Sequence, residues 1–310
     1  LRVPDKHTQD ALIRDKISQG QWSTHLGSSE SLFVNASSWG LLITGAMVNY
    51  ADKRKQDSFG LLKKTIGRLG EPVIRKSMNY AMKIMGKQFV MGETIKAATE
   101  RADEKEQKGY VYSYDMLGEG ARTMADADRY LKAYQEAIET IGQVARAAGK
   151  NDPRRVPGIS VKLSAIHPRY EFTHKARVMA EIVPKLKALC LQAKSYNIGL
   201  TVDAEESERL DISLDIIEAV FSDNDLAGWD GFGMALQAYQ KRAIFVVDWL
   251  RELTLRVNRK MMVRLVKGAY WDTEIKNAQK DGLQHFPVFT RKSSTDVSYH
   301  ACANKLLEYR

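Results

Sequence analysis

The chain has 310 residues, 44% apolar and 27% charged, with 47 Lys and Arg against 38 Asp and Glu for a net charge of +9. That is the composition of a soluble globular protein with ample core, large enough for one big domain or two ordinary ones. The most apolar run, Trp39 to Val48, is too short to span a bilayer and contains Thr44 and two glycines.

Nothing resembles a signal peptide, and Leu1 in place of Met suggests that the true start lies upstream. The two cysteines, Cys190 and Cys302, lie in helical patterns and point to a reducing, cytoplasmic compartment. Six histidines show no metal-ligand spacing, so no metal is expected. The basic residues are scattered. Clusters such as Lys53-Arg54-Lys55 and Arg256 to Lys260 carry no interleaved aromatics and read as solvated surface.

Residues 1–105 read as a helical arm or cap. Asp10 to Ile17 is a short helix, Gly20 to Ser31 is loop, and Glu71-Pro72 opens a longer helix with Ile74, Met78, Ala81, Met82 and Met85 on one side. Glu93 to Gln107 is a charged helix. From Gly109 strands and helices alternate. Tyr110 to Leu117 is the first strand, and its helix is capped by Thr123 with Asp126 three residues on. The second strand, Gly158 to Ala165, precedes a helix from Lys175 to Tyr196 that Pro184 is expected to kink. Gly199 to Glu206 and Gly231 to Ala238 are the third and fourth strands, with helices near Leu210 to Phe221 and Arg242 to Arg256. Met261 to Val266 is the fifth, followed by a helix from Tyr270 to Lys280. Pro287 to Thr290 reads as a short sixth strand, and Thr295 as the cap of a last helix reaching Tyr309.

Six strand-helix units make a parallel sheet, doubly wound or closed as a (βα)8 barrel. Gly231-Phe232-Gly233 begins a strand and lacks the third glycine of a dinucleotide fingerprint, so the barrel is favoured, with two units missing from this chain.

Barrel enzymes gather their chemistry at the carboxyl ends of the strands. Those ends carry Asp115 and Glu119, Lys162 and Ser164, Asp203 and Glu205, Gln237, Arg264 with Lys267, and Thr290. Alternation groups Lys162 with Ser160 and Ser164, and Asp203 with Thr201 and Glu205, so Lys162, Asp203, Gln237 and Arg264 are expected to converge at one rim. A guanidinium in mid-strand needs an anionic or polar receiver. One reading makes Lys162 a Schiff-base nucleophile, as in barrel aldolases. The other has arginine, carboxamide and carboxylate facing a flat heterocycle that gains charge on reduction, a flavin, with Lys267 and the Gly268-Ala269 backbone near its pyrophosphate. From a different class, the basic arm is weighed as a nucleic-acid or partner-binding module.

The stretches YSYDMLGE, GISVKLSAIHPRY, GLTVDAEES, LQAYQKR, VRLVKGAYWD and PVFTRKSSTDVSY resemble the proline dehydrogenase family, in particular the proline utilization A flavoenzymes of bacteria. The likeness continues into the arm through ALIRDKIS, SLFVNASSWGLL and GEPVIRKSM, and so spans essentially the whole chain. It implies a distorted (βα)8 barrel holding FAD non-covalently, oxidising L-proline to Δ1-pyrroline-5-carboxylate and passing electrons to a membrane quinone. By motif position it implies Arg264 near flavin N5, with Asp203, Ala204 and Gln237 at the flavin or its ribityl chain and Val266 against the ring. It places Lys267, Gly268, Ala269, Trp271, Thr290, Arg291 and Lys292 at the pyrophosphate and adenosine end. Lys162 is implied to bind the substrate carboxylate, Ala269 and Tyr270 to wall the substrate, and Asp115 and Glu119 to approach its pocket.

The family's final helix supplies two arginines for the substrate carboxylate and a late strand supplies a histidine for the flavin; neither lies in these 310 residues. The 310-residue chain alone is therefore expected to be inactive, or else to continue beyond Arg310, with its outer strands left as open edges. The resemblance also implies peripheral membrane association, an aldehyde dehydrogenase domain in the same polypeptide, and DNA contacts only through an amino-terminal segment outside this chain.

Overall fold

The computed structural model describes residue 86 and residues 89–116, 120–149 and 151–309. The helices expected at Asp10 to Ile17 and from Glu71-Pro72, the apolar run from Trp39 and the position of Glu119 lie outside the described residues. The chain divides into two units, 1–93 and 94–310. The second is a parallel α/β structure.

From the first strand onward each strand is followed by one or two helices. After helix α1 (Ile95–Glu106) come β1 (Ser113–Asp115) and α2 (Met124–Ala147), then β2 (Gly158–Val161), a single helical turn α3 (Leu163–Ile166) and α4 (Lys175–Tyr196). Next are β3 (Leu200–Val202), α5 (Leu210–Phe221), β4 (Phe232–Gln237), α6 (Ala243–Val257), β5 (Met262–Val266), α7 (Trp271–Lys280) and α8 (Lys292–Glu308). The five strands lie side by side in sequence order, every neighbouring pair parallel. A doubly wound sheet would reverse direction at a switch point. This one never does, and the winding is that of a barrel.

Strand alternation explains where the core lies. Ile159, Val161, Leu200, Val202, Phe232, Met234 and Leu236 share the helix-covered face and are almost fully buried. The other face carries Ser113, Asp115, Ser160, Lys162, Thr201, Asp203, Arg264 and the small residues Gly233 and Ala235. Helix α2 covers β2 with a buried stripe that includes Ala127, Tyr134, Ile138, Ile141 and Ala145. Its start is the expected capping box. Thr123 Oγ1 accepts from the Asp126 amide at 3.1 Å, and Asp126 Oδ2 accepts from the Thr123 amide at 3.2 Å. Pro184 sits inside α4 without ending it.

Four expectations need correction. The second strand stops at Val161, because the Lys162 amide donates to the Tyr134 hydroxyl at 3.1 Å and the chain then turns into α3. Residues 287–290 do not form a sixth sheet strand. Pro287 has no amide to give a ladder, and Val288 makes only an antiparallel bridge to Gln240 in the loop after β4. Thr295 does not cap the last helix. Arg291 occupies that position, and Thr295 lies buried within α8 with its amide on the Arg291 carbonyl. The first strand is also shorter than expected, which fits an edge position with a neighbour on one side only.

Candidate active site

The register fixes which side chains meet. Ala235 on β4 pairs with Arg264 on β5, and the β3–β4 ladder ends one residue short of Asp203, which therefore follows at the same height. Lys162 follows β2 in the same way, beyond the Val161–Val202 pair. Lys162, Asp203 and Arg264 thus stand in one row across the carboxyl end of the sheet, with Ala235 as the only small member.

Their contacts are direct. Lys162 Nζ donates to Asp203 Oδ2 at 3.0 Å and to Asp115 Oδ1 at 2.8 Å. Arg264 Nη2 donates to the other carboxylate oxygen of Asp203, while its Nη1 reaches Ser160 Oγ at 2.8 Å. Ser160 in turn shares a 2.9 Å hydrogen bond with Ser113. Four strands contribute to one charged network. Asp203 is nearly buried, whereas the Arg264 side chain remains 38% exposed, so the cationic side of the network opens outward.

Gln237 stands two residues beyond this row and touches other groups. Its Nε2 donates to the Glu205 carbonyl at 2.8 Å and its Oε1 accepts from the Ala269 amide at 2.9 Å. It ties the loop after β5 to the loop after β3. The Ala269 amide is therefore engaged by a carboxamide. Val266 shares the face of Arg264, and Ala204 lines a cavity of about 20 Å³ with Glu205, Arg209 and Gln237, room for a single water.

The loop after β5 needs its glycine. Gly268 has φ +145°, and a Cβ there would lie 2.3 Å from the Tyr239 ring. Tyr270 follows as the residue preceding α7, and burial, then the charges of Glu205 and Glu206, push its hydroxyl up to about 12. It stays a neutral donor at physiological pH.

A second cationic group lies at the start of α8. Lys267 Nζ and Lys292 Nζ converge on the two oxygens of Asp296, at 2.5 and 2.7 Å. The lysines hold the Asp296 carboxyl down to about 2. Thr290 and Arg291 are exposed beside them, and Trp271, also exposed, donates to the Phe289 carbonyl at 3.0 Å.

Sequence reasoning named Ser160 only as a face-mate of Lys162; the contacts give it, and Tyr134 of α2, a place behind the rim. It missed Glu274, Ser207 and Tyr239 altogether. No spacing marks them, because their meeting depends on helix α7 and two separate loops.

A singly wound parallel barrel sheet with its ionisable groups collected at the carboxyl rim is the architecture of a barrel enzyme. The chain belongs to the proline dehydrogenase family: the family model described as "Proline dehydrogenase" matches residues 98–310. A second, described as "DNA-binding domain of Proline dehydrogenase", matches residues 1–89. That description runs against the expectation that DNA contacts belong only outside this chain. Among curated proteins, the bifunctional protein PutA of Escherichia coli is 55% identical over 307 residues, 99% of this chain and 23% of its own length. PutA of Rhizobium meliloti is 54% identical over 96% of this chain and 24% of its own length. The chain thus spans about a quarter of the length of these two relatives. A crystal structure of a Bradyrhizobium japonicum proline utilization A mutant superposes with a TM-score of 0.69 at 49% identity, covering 100% of this chain and 30% of that one. A Bdellovibrio bacteriovorus proline utilization A, at TM-score 0.72 and 20% identity over 99% of this chain and 33% of its own, shares the fold.

Proposed function

We propose that this chain carries the flavin-binding barrel of an enzyme that oxidises L-proline to Δ1-pyrroline-5-carboxylate. The observation that carries this reading is the single row in which Lys162 and Arg264 grip the two oxygens of Asp203. Family membership supplies the substrate class.

The residues present fit FAD by the chemistry of their donors. Arg264 offers an outward-facing guanidinium to an electron-rich ring, and Lys267 and Lys292 already gather around one anion beside the start of a 17-residue helix. When bound, FAD supplies the hydride acceptor at its N5. The chain's own task is placement and charge compensation. Arg264, held from behind by Ser160 and Asp203, stabilises negative charge at the ring edge. Lys162 turns its ammonium toward the substrate carboxylate while Asp115 and Asp203 keep it in the rim. Ala269 and Tyr270 wall the substrate, and Asp203, Ala204, Gln237 and Val266 border the ring and its ribityl chain. Gly268, Trp271, Thr290 and Arg291 complete the pyrophosphate and adenosine end. Asp115 borders the substrate pocket.

The Schiff-base alternative loses its support. A nucleophilic lysine is activated by an apolar pocket or a neighbouring cation, and Lys162 instead donates to two carboxylates. Electrons leaving for a quinone, peripheral membrane attachment of a cytoplasmic protein, and an aldehyde dehydrogenase domain elsewhere in the parent polypeptide belong to the same reading. The resemblance supports all three, and relatives called bifunctional fit the further domain.

The test is spectroscopic. The parent protein should show a visible flavin spectrum that L-proline bleaches and 2-hydroxy acids leave intact. A colourless protein that still oxidises proline would exclude the proposal.

A second reading concerns residues 1–89, proposed as a helical arm within residues 1–105 and matched by a family model described as DNA-binding. Steeply salt-dependent binding of duplex DNA by the parent protein, abolished on deleting this segment, supports it; salt-insensitive or unaltered binding removes it.

A further inference from the structure

Glu274 is a carboxylate buried to 3% exposure in α7, and no cation among the described residues pairs with it. Burying a carboxylate without a counter-ion is costly unless hydrogen bonds replace its water. Here they come from loops on two other strands. Ser207, in the loop after β3, donates its amide to Glu274 Oε1 at 2.6 Å and its hydroxyl to Oε2 at 2.5 Å. Tyr239, in the loop after β4, brings its hydroxyl to 3.4 Å from Oε1. Arg242 braces the arrangement by donating to the Ser207 carbonyl at 3.1 Å and to Asp211.

These tethers act on the stretch that walls the site. The Tyr239 ring packs against Gly268, and the Tyr239 amide donates to the Lys267 carbonyl at 2.7 Å. Ser207 lies four residues after Asp203, and Glu274 four residues after Tyr270. One buried carboxylate thus sets the distance between the loop that leaves Asp203 and the loop that carries Ala269 and Tyr270.

We infer that Glu274 is a positioning residue: through Ser207 and Tyr239 it holds the Gly268–Tyr270 wall in register with Asp203, without touching substrate. This rests on the proline-oxidation reading. It predicts a particular kinetic signature, because a misplaced wall weakens substrate capture and ring alignment more than it weakens the fold.

The experiment uses the full-length flavin-loaded protein and the variants Glu274→Gln, Ser207→Ala and their combination. Steady-state kinetics with L-proline, visible circular dichroism of the flavin and thermal melting are measured on each. Glu274→Gln should lower kcat/KM by about tenfold to a hundredfold, mostly through KM, and alter the flavin dichroic bands. Ser207→Ala should move both in the same direction by less. The double variant should be no worse than Glu274→Gln, since the one bond that Ser207→Ala removes, from the Ser207 hydroxyl to Oε2, is already disrupted when that oxygen becomes an amide nitrogen. A lowered melting temperature with unchanged KM, kcat and dichroism in either single variant overturns the inference, and so do additive losses. Should Glu274→Gln fail to fold, Ser207→Ala decides alone. A wild-type protein whose flavin proline does not reduce sinks the proline-oxidation reading instead, which keeps the two failures apart.

Discussion

Arg264 on β5 donates to the Asp203 carboxylate that follows β3, reaching across the whole width of β4. It can do so because β4 presents only Ala235 at that height. A larger side chain there would stand between guanidinium and carboxylate. The charged row of the rim therefore depends on an alanine that carries no charge, and the first prediction concerns that residue.

Ala235→Leu should push Arg264 off Asp203. Overpacking a position that is 5% exposed costs about 1–3 kcal/mol of stability. The larger effect should be on catalysis, a loss of about tenfold or more in kcat/KM for L-proline, since the displaced group sits at the proposed ring edge. Proline-dependent dye reduction by the full-length variant measures it, with Ala235→Ser as the small-residue control. Wild-type turnover in the leucine variant would mean that the contact across β4 has no part in the reaction.

Arg264→Lys retains the charge but not the fork. The guanidinium donates to Ser160 with one nitrogen and to Asp203 with another, and a single ammonium on a shorter reach cannot span both. A fall of about a hundredfold in kcat at saturating proline is expected, with flavin content largely kept. If lysine supports wild-type kcat, the arginine serves only to neutralise Asp203.

The barrel winding and the charged row were legible in the sequence for a shared reason: both follow from the two-residue period of strands. Alternation put Ser160, Lys162, Asp203 and Arg264 on one face, and repetition of strand and helix implied parallel order. Gln237 was expected in the same row and stands one step beyond it, because register is a matter of pairing between strands and no single strand reveals it. Residues 287–290 looked like a strand by composition, yet the proline leaves a ladder without a donor. The Glu274, Ser207 and Tyr239 contact was illegible. Two loops and a helix bring it together, and loop geometry has no period to read.

Lys162→Met removes the ammonium between Asp115 and Asp203. Losing a hydrogen bond to a charged group costs about 1.5–3 kcal/mol, so binding of the proline carboxylate should weaken by about tenfold to a hundredfold. KM should carry most of that change, because the partner is bound equally in ground and transition states. Rapid-reaction flavin reduction over a range of proline concentrations separates the two constants. A variant with normal KM and lost kcat would place Lys162 at the reacting atoms.

Asp296 offers a pH prediction whose sign can be worked out. Lys267 and then Lys292 lower its carboxyl from an ordinary 3.8 to about 2 in the folded chain. A depressed folded pKa means that the unfolded chain binds the proton more readily, so the pairing contributes to stability above about pH 4. The contribution fades as pH falls from 4 toward 2 and is gone below that. The pair is at the surface, so it should also weaken with added salt. Urea unfolding of the wild-type protein and of Asp296→Asn should therefore differ by a constant midpoint gap from pH 5 to 7 that narrows on acidification. The same variant leaves Lys267 and Lys292 without their carboxylate, and its affinity for FAD should rise relative to wild type at neutral pH as both cations turn to the pyrophosphate. A gap that widens in acid, or FAD affinity that falls, would show that Asp296 orients the two lysines for the cofactor instead of competing with it.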